Sequence, residues 1–344
     1  MPEATFKRIV ICSDGTWNDP EDKHPTNVLR MARAIRPVAS DGTKQVVFYD
    51  WGTGSYHAKI RGGMVGLGIM KNIQDGYRFI VQNYNPGDQI FLFGFSRGAY
   101  TVRCLNGLMN NCGILRRSRA NLIPQAFRLY KKRKTPPSAP EAGDWRQANA
   151  YGRPRSVVDF IGVWDTVGAL GAPTRVLAFM DEKDLFYDHE LGSNVKVARH
   201  AVSIDERRRD FSPTLWTSKE AIDIRQVWFA GVHSDVGGGY APDDEGKLLS
   251  DIPLVWMAKE ASKSGLEFEP HLYVRSNLDS RAPLHKSNRG FWKALGKRVR
   301  RIPTESVMHA SVKERYESTD YRPRALLDWL TARNGHWGAV DGAL

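Results

Sequence analysis

Residues 89–103 read QIFLFGFSRGAYTVR, and the place of Ser96 in that stretch decides the fold. Gln89–Phe93 is a short, almost wholly apolar run of strand length, and Tyr100–Leu108 reads as a helix, so Ser96 falls at a strand-to-helix turn. Gly94-Phe95-Ser96-Arg97-Gly98 matches G-x-S-x-G, the pattern of a nucleophile elbow. A sharp turn there presents the serine hydroxyl at the edge of a sheet, and the two glycines keep Cβ atoms out of space that strand and helix must share. In a chain with 31 glycines the bare pattern carries little weight. The reading therefore depends on whether other strand ends supply a base, an acid and an oxyanion hole.

Outward from the elbow, strand-like runs alternate with helical patterns over the first 240 or so residues. Strands are expected at Lys7–Cys12, Gln45–Tyr49, Ser156–Val163, Val195–Ile204 and Arg225–Val232. Helices are expected at Thr26–Ile35 and from about Met70 to Asn83, where Ile73, Tyr77, Ile80 and Val81 recur at helical spacing. Such alternation implies an α/β fold: a mostly parallel, α/β-hydrolase-like sheet with helices on both faces. In these sheets working residues gather outside the carboxyl ends of the strands. Here those ends read SDGTW, DWGTG, GFSRG, VWDTVG, SIDERR and GVHSDVGGGY, so acids, a serine and a histidine stand where a site would form. Residues 116–154, basic and then proline-rich, are too long for an ordinary connection and read as an inserted cap or lid. From 251 to 344 the pattern becomes a helical C-terminal extension packed on the core, its last helix in DWLTARNGHWGAV. One domain over residues 1–344 accounts for the whole pattern.

A 344-residue chain with 41% hydrophobic content can bury a substantial core. No apolar run approaches a membrane span, and MPEATFKRIVICSDG lacks the features of a general signal peptide. The expectation is a cytoplasmic protein, or one exported without such a peptide. Cys12, Cys104 and Cys112 show no CxxC spacing, which argues against zinc or a disulfide framework, and no cofactor is expected. The net charge of +12 invites anionic partners. No nucleic-acid signature accompanies it, which leaves an anionic membrane surface or an anionic substrate and no nucleic acid. GFWKALGKRVRRI (290–302) would place Phe291, Trp292, Leu295 and Val299 near one helical face, with Lys293, Lys297, Arg298, Arg300 and Arg301 around it. That helix would pack on the core or lie on a bilayer. LIPQAFRLYKKRK (122–134) reads as a lid or a basic surface helix.

A serine hydrolase of this fold orders its triad serine, acid, histidine along the chain. With the first strand counted as the third of an α/β-hydrolase sheet, Ser96 follows the fifth strand, Asp165 the sixth and His233 the eighth. His233 would take the serine proton, and Asp165 would hold the imidazole tautomer. Asp205 and Asp235 are alternative acids, and His309 is an alternative base. The Arg97 backbone N–H, the residue after the nucleophile, would form one side of the oxyanion hole, and Gly15 or Thr16 the other. Gly237 to Gly239 lacks the lysine of a P-loop and reads as a turn that lets His233 reach inward. Asp235, Asp243, Asp244 and Glu245 read as a solvated loop in preference to a cation site.

CSDGTWND, GFSRGAYTVR, GVWDTVGALG, RHAVSIDERRRDFSPTLW, VHSDVGGGY and HASVKERY, in that order, resemble the motif series of an α/β-hydrolase family related to the catalytic domain of type VI secretion phospholipase effectors. The resemblance covers roughly residues 5–320. It implies phospholipase A1 or A2 activity on an ester or phospholipid substrate, with Ser96, Asp165 and His233 matching the family's triad. The chain is expected to lack the large membrane-docking region of the secreted toxins.

Overall fold

A computed structural model describes residues 6–15, 21, 23–52, 64–132, 135–152, 158–167, 191–217, 219–274, 276–287 and 296–342. Among them runs one seven-stranded sheet: β1 (Lys7–Ser13), β2 (Lys44–Asp50), β3 (Gln89–Phe95), β4 (Val158–Trp164), β5 (Val195–Ser203), β6 (Asp223–Phe229) and β7 (Val307–Met308). The strand order is β2-β1-β3-β4-β5-β6-β7, and every neighbouring pair is parallel. That is the α/β-hydrolase-like arrangement expected from the alternating pattern. The short edge strand β7 falls inside the region read as a helical extension, because two residues are too few to show a period.

Successive residues of a strand face opposite sides of the sheet, and the apolar runs fill both. Ile9, Ile11, Ile90, Leu92, Ile161 and Val163 belong to one buried cluster, packed by α2 (Met64–Asn83) and α3 (Arg97–Cys112) through Ile73, Tyr77, Ile80, Val102, Leu105 and Leu108. Their neighbours Val10, Cys12, Phe91, Phe93, Phe160 and Trp164 form the other, covered by α1 (Asn27–Ala34) and, after the last wide strand, a helix at Asp251–Lys263, with Val28, Met31, Leu254 and Met257. A third cluster centres on Trp228 and Met308 and takes Leu326, Trp329 and Leu330 from a C-terminal helix, Arg324–Ala332.

Between β3 and β4 the segment read as a cap or lid folds as α4 (Ile123–Lys131) and α5 (Pro140–Asn149). Ile123, Ala126 and Phe127 are buried in the same cluster as α3. The contacts fall at the end of α3 remote from Ser96: Cys112 Sγ–Ala126 O at 3.2 Å, Asn111 Nδ2–Thr135 O at 2.6 Å and Arg146 Nη1–Asn111 O at 2.7 Å. A 16-residue helix is about 24 Å long, so these contacts brace the end of α3 far from the elbow.

The basic stretch at 290–302 is also not the expected amphipathic helix where it is described. Residues 296–302 run in extended and irregular backbone, with Lys297 bridged antiparallel to Arg208. Arg300, assigned above to a polar helix face, is buried. Phe291, Trp292, Lys293 and Leu295 lie outside the described residues. Among those described, no helix is long and apolar enough to cross a membrane.

Candidate active site

Register brings the carboxyl ends of the central strands level. Phe95 pairs with Trp164, and the Ser96 N–H donates to the Trp164 carbonyl at 3.1 Å, so the residues that follow β3 and β4 lie side by side. Ser96 sits at φ 56°, ψ −120°, ahead of the first turn of α3. A serine in that region is strained by about 1–3 kcal/mol, which surrounding packing must offset. The two motif glycines make the turn possible. A Cβ on Gly98 would stand 2.0 Å from the Ser13 carbonyl oxygen, and one on Gly94 would stand 2.5 Å from the Gly98 oxygen.

Asp165, directly after β4, also holds a positive φ, 38°. Its own N–H donates to Ala201 O at 2.7 Å, and its fully buried carboxylate turns inward. Oδ2 lies 2.6 Å from His233 Nδ1, and Oδ1 accepts the Ser203 N–H at 2.9 Å. Arg300 closes on the same carboxylate, Nη1 to Oδ1 at 2.6 Å and Nη2 to Oδ2 at 2.9 Å. Burial alone would push the Asp165 carboxyl up; the Arg300 charge and the His233 hydrogen bond reverse this and hold it far below the usual carboxylate range. With Asp165 ionised, His233 Nδ1 carries the proton and Nε2 is left as the basic nitrogen.

His233 opens a one-turn helix, His233–Gly237, after β6. Its ring lies 4.5 Å from that of Phe95, the residue before Ser96, and 5.0 Å edge-on from Phe211. A Cβ on Gly237 would fall 2.0 Å from the Phe95 ring, so the glycine run lets this turn close onto the elbow. Burial lowers the imidazole pKa, and the Asp165 hydrogen bond and charge pull part of the way back. The His233 N–H donates to Glu206 Oε2 at 3.2 Å, and Glu206 is itself held by Arg208 and by Ser287 Oγ at 2.8 Å. Among the described residues the Ser96 hydroxyl makes no hydrogen bond; contacts of this kind commonly tighten only when substrate binds.

The alternative acids and base are engaged elsewhere. Asp205 accepts the Gly231 N–H at 2.7 Å and the Tyr321 hydroxyl at 2.6 Å, with burial raising its pKa to about 6. Asp235 pairs with His285 Nδ1 at 2.6 Å and accepts the Val232 N–H at 3.0 Å. His309 caps the helix Ala310–Ser318 through Ser311, stacks on Phe229 at 4.8 Å, and has its pKa lowered to about 4 by burial. Asp243 serves its own loop, accepting from Lys247 N at 2.7 Å, and the described residues hold no cluster suited to a metal ion.

Of the oxyanion donors, Arg97 is the first residue of α3, where backbone N–H groups have no partner within the helix. The Gly15 N–H donates to Asp14 Oδ1 at 2.7 Å, and Thr16 lies outside the described residues. Asp14 is anchored by the hydroxyls of Thr26 and Tyr49, which ties the β1 loop to the start of α1. The Arg97 guanidinium has no ion-pair partner among the described residues, and burial lowers its pKa to about 10. Two residues had no signal in sequence. Arg300 lies 135 positions from its partner Asp165, and His200 looks like any polar residue in a strand. His200 Nε2 accepts the Thr166 N–H at 3.1 Å, stays neutral because burial lowers its pKa to about 3, and so fixes the turn that carries Asp165.

A family model described as T6SS, phospholipase effector Tle1-like, catalytic domain, matches residues 7–260. The chain belongs to that family. The Tle1-like match contains Ser96, Asp165 and His233 and ends before Arg300, His309 and Tyr321. An uncharacterised protein of Saccharomyces cerevisiae is 25% identical over 78% of this chain and 58% of its own length. An uncharacterised protein from Pseudomonas aeruginosa of known structure aligns at TM-score 0.50 and 20% identity, over 79% of this chain and 49% of the other. The Tle1 effector, solved bound to the VgrG spike of the type 6 secretion system, aligns at TM-score 0.44 and 20% identity, over 69% of this chain and 52% of that one. The chain thus spans from 49% to 58% of the length of these relatives.

Proposed function

We propose that this protein is a serine hydrolase that cleaves carboxylic ester bonds of phospholipids, with Ser96 as nucleophile, His233 as base and Asp165 as the acid that orients it. The observation that carries the reading is the Asp165–His233 hydrogen bond of 2.6 Å, set beside a serine held at φ 56°. In acylation, His233 Nε2 takes the Ser96 hydroxyl proton while Oγ bonds to the ester carbonyl carbon. The imidazolium then gives that proton to the departing alcohol oxygen as the ester C–O bond breaks, leaving an acyl-serine. A water activated by the same nitrogen attacks the acyl carbon, releases the fatty acid and returns the proton to Ser96. The Arg97 N–H and the helix dipole behind it stabilise the oxyanion; the Gly15 N–H is taken by Asp14 Oδ1, which leaves Thr16 as the second donor.

Two facts favour a phospholipid over a neutral ester. Arg97, the residue after the nucleophile, lacks an ion-pair partner among the described residues, and a cation at that position suits a phosphodiester. Family membership points to the same substrate class. Fluorophosphonate labelling and turnover of phosphatidylglycerol vesicles and of p-nitrophenyl butyrate, in wild type beside Ser96→Ala and His233→Ala, test the reading. We expect wild type to be labelled and to hydrolyse the vesicles, and both variants to lose at least ~10³-fold in kcat. Turnover of the short ester alone would remove phospholipid as substrate. Labelling of Ser96→Ala equal to wild type would remove Ser96 as nucleophile.

The pH dependence follows from the burial of His233. A base must be neutral to act, and its pKa is depressed below the ordinary 6.5. The acid limb of kcat/KM is therefore expected below that value. A limb centred above 7 would contradict the assignment.

A further inference from the structure

Arg300 stands outside the region that the family model matches, yet it makes the closest set of contacts in the candidate site. Both guanidinium Nη atoms meet both oxygens of Asp165, and each also donates to a backbone carbonyl, Nη1 to Ser203 O at 2.7 Å and Nη2 to Phe211 O at 2.6 Å. The arginine side chain is 4% exposed and the carboxylate 0%. In the wider site Phe211 touches the His233 ring and Ser203 N–H holds Asp165 Oδ1, so one cation binds the acid and two of the segments that frame the acid–base pair.

A lone buried carboxylate would favour imidazolium strongly, because a full negative charge would lie 2.6 Å from Nδ1 in a medium of low dielectric. A bidentate guanidinium on that carboxylate cancels much of the charge and, as a like charge near the imidazolium, disfavours it further. Charged groups that face His233 from other elements are Glu206, through the His233 N–H, and Arg208, which pairs with Glu206. They act on the imidazole in opposite senses, while Arg300 acts through Asp165, whose carboxyl its charge holds in the ionised form. The fork geometry also fixes which carboxylate oxygen meets Nδ1, a task a lysine point charge cannot perform.

We propose that Arg300, supplied by the segment C-terminal to the matched catalytic domain, is a positioning residue of the triad: it fixes the Asp165 carboxylate on His233 Nδ1 and neutralises part of its charge. The inference rests on the triad assignment proposed above. It makes the C-terminal segment part of the working site and not an appendage, since a chain ending at residue 260 would leave the Asp165 charge buried without its cation.

The test uses the full chain with ¹³C-labelled histidine, His233 being assigned by comparison with His233→Gln, in wild type, Arg300→Gln and Arg300→Lys. In Arg300→Gln the His233 titration and the acid limb of kcat/KM on p-nitrophenyl butyrate are expected to rise together by about one pH unit or more. Activity at pH 6 then falls several-fold further than activity at pH 8.5. Arg300→Lys should restore the midpoint while recovering only part of kcat. Equal loss of activity at every pH, with the His233 midpoint unmoved in Arg300→Gln, would reduce Arg300 to a structural brace and overturn the proposal. Should Arg300→Gln not fold, Arg300→Lys and wild type decide: a wild-type His233 titrating above the ordinary imidazole range overturns it. Absent fluorophosphonate labelling of wild type would sink the hydrolase reading by itself, and the histidine titrations would still decide the Arg300–Asp165–His233 coupling.

Discussion

Ser96 and Asp165 each hold a positive φ at the end of adjacent parallel strands, and each is tied to the next strand by its own N–H. Two strained residues at neighbouring strand ends cost on the order of 2–6 kcal/mol together, which only a tightly fitted frame can support. Gly98 is the tightest point of that frame. Its α-carbon packs so closely on the end of β1 that Gly98→Ala places a methyl 2.0 Å from the Ser13 oxygen, and neither backbone can yield without moving the elbow. The variant is expected to lose about 1–3 kcal/mol of stability in urea unfolding and about 10²-fold in kcat, since an ångström of displacement at the nucleophile has that effect. Wild-type turnover in Gly98→Ala would show that the elbow has slack. Ser96, Asp165 and His233, the residues proposed for the triad, stand out in the sequence because each follows an apolar run at a place where polar residues otherwise have no reason to cluster. Arg300 does not, because five cations in a basic stretch look alike until one of them is buried on a carboxylate.

At the scale of elements, the alternating strands and helices up to β6 and the last helix could be read from apolar periodicity, whereas the non-helical parts of the C-terminal segment could not. Its sheet contribution, Val307–Met308, is too short for a period, and its irregular run at 296–302 is set by Arg300 and Lys297 meeting distant partners. Its attachment to the core depends on the third cluster, where the 1%-exposed Trp329 packs with Trp228, Met308 and Leu326. Trp329→Ala should destabilise the protein by about 3–5 kcal/mol. Because the same segment carries Arg300 and Tyr321 to Asp165 and Asp205, esterase activity should fall at denaturant concentrations below the main unfolding transition. Coincident loss of activity and of tryptophan fluorescence in Trp329→Ala would instead mean that the segment and the catalytic sheet unfold as one.

Across the whole molecule, some of the arginines do internal work. Arg8, Arg199, Arg300 and Arg315 are buried, and each donates to carboxylates or carbonyls of another segment, but among the described residues the buried carboxylates outnumber the buried arginines, so the basic excess stays on the surface. Two buried carboxylates then give stability opposite dependences on pH. Asp165, depressed far below the usual range, contributes stability that is present above its unfolded pKa of 3.8 and is lost as pH falls. Asp205, raised from 3.8 to about 6 by burial, behaves in the reverse sense: its contribution is complete below 3.8 and is lost as pH rises through about 6. Its oxygen accepts from Gly231 and Tyr321, and an asparagine carbonyl can accept both bonds without carrying charge. Asp205→Asn should therefore gain on wild type by about 2–3 kcal/mol between pH 4 and pH 7.5, at about 1.4 kcal/mol for each pKa unit. Urea unfolding at the two pH values measures the difference directly. A gap between variant and wild type that stays constant with pH would mean that Asp205 is already solvated or paired well enough to ionise at its ordinary pKa.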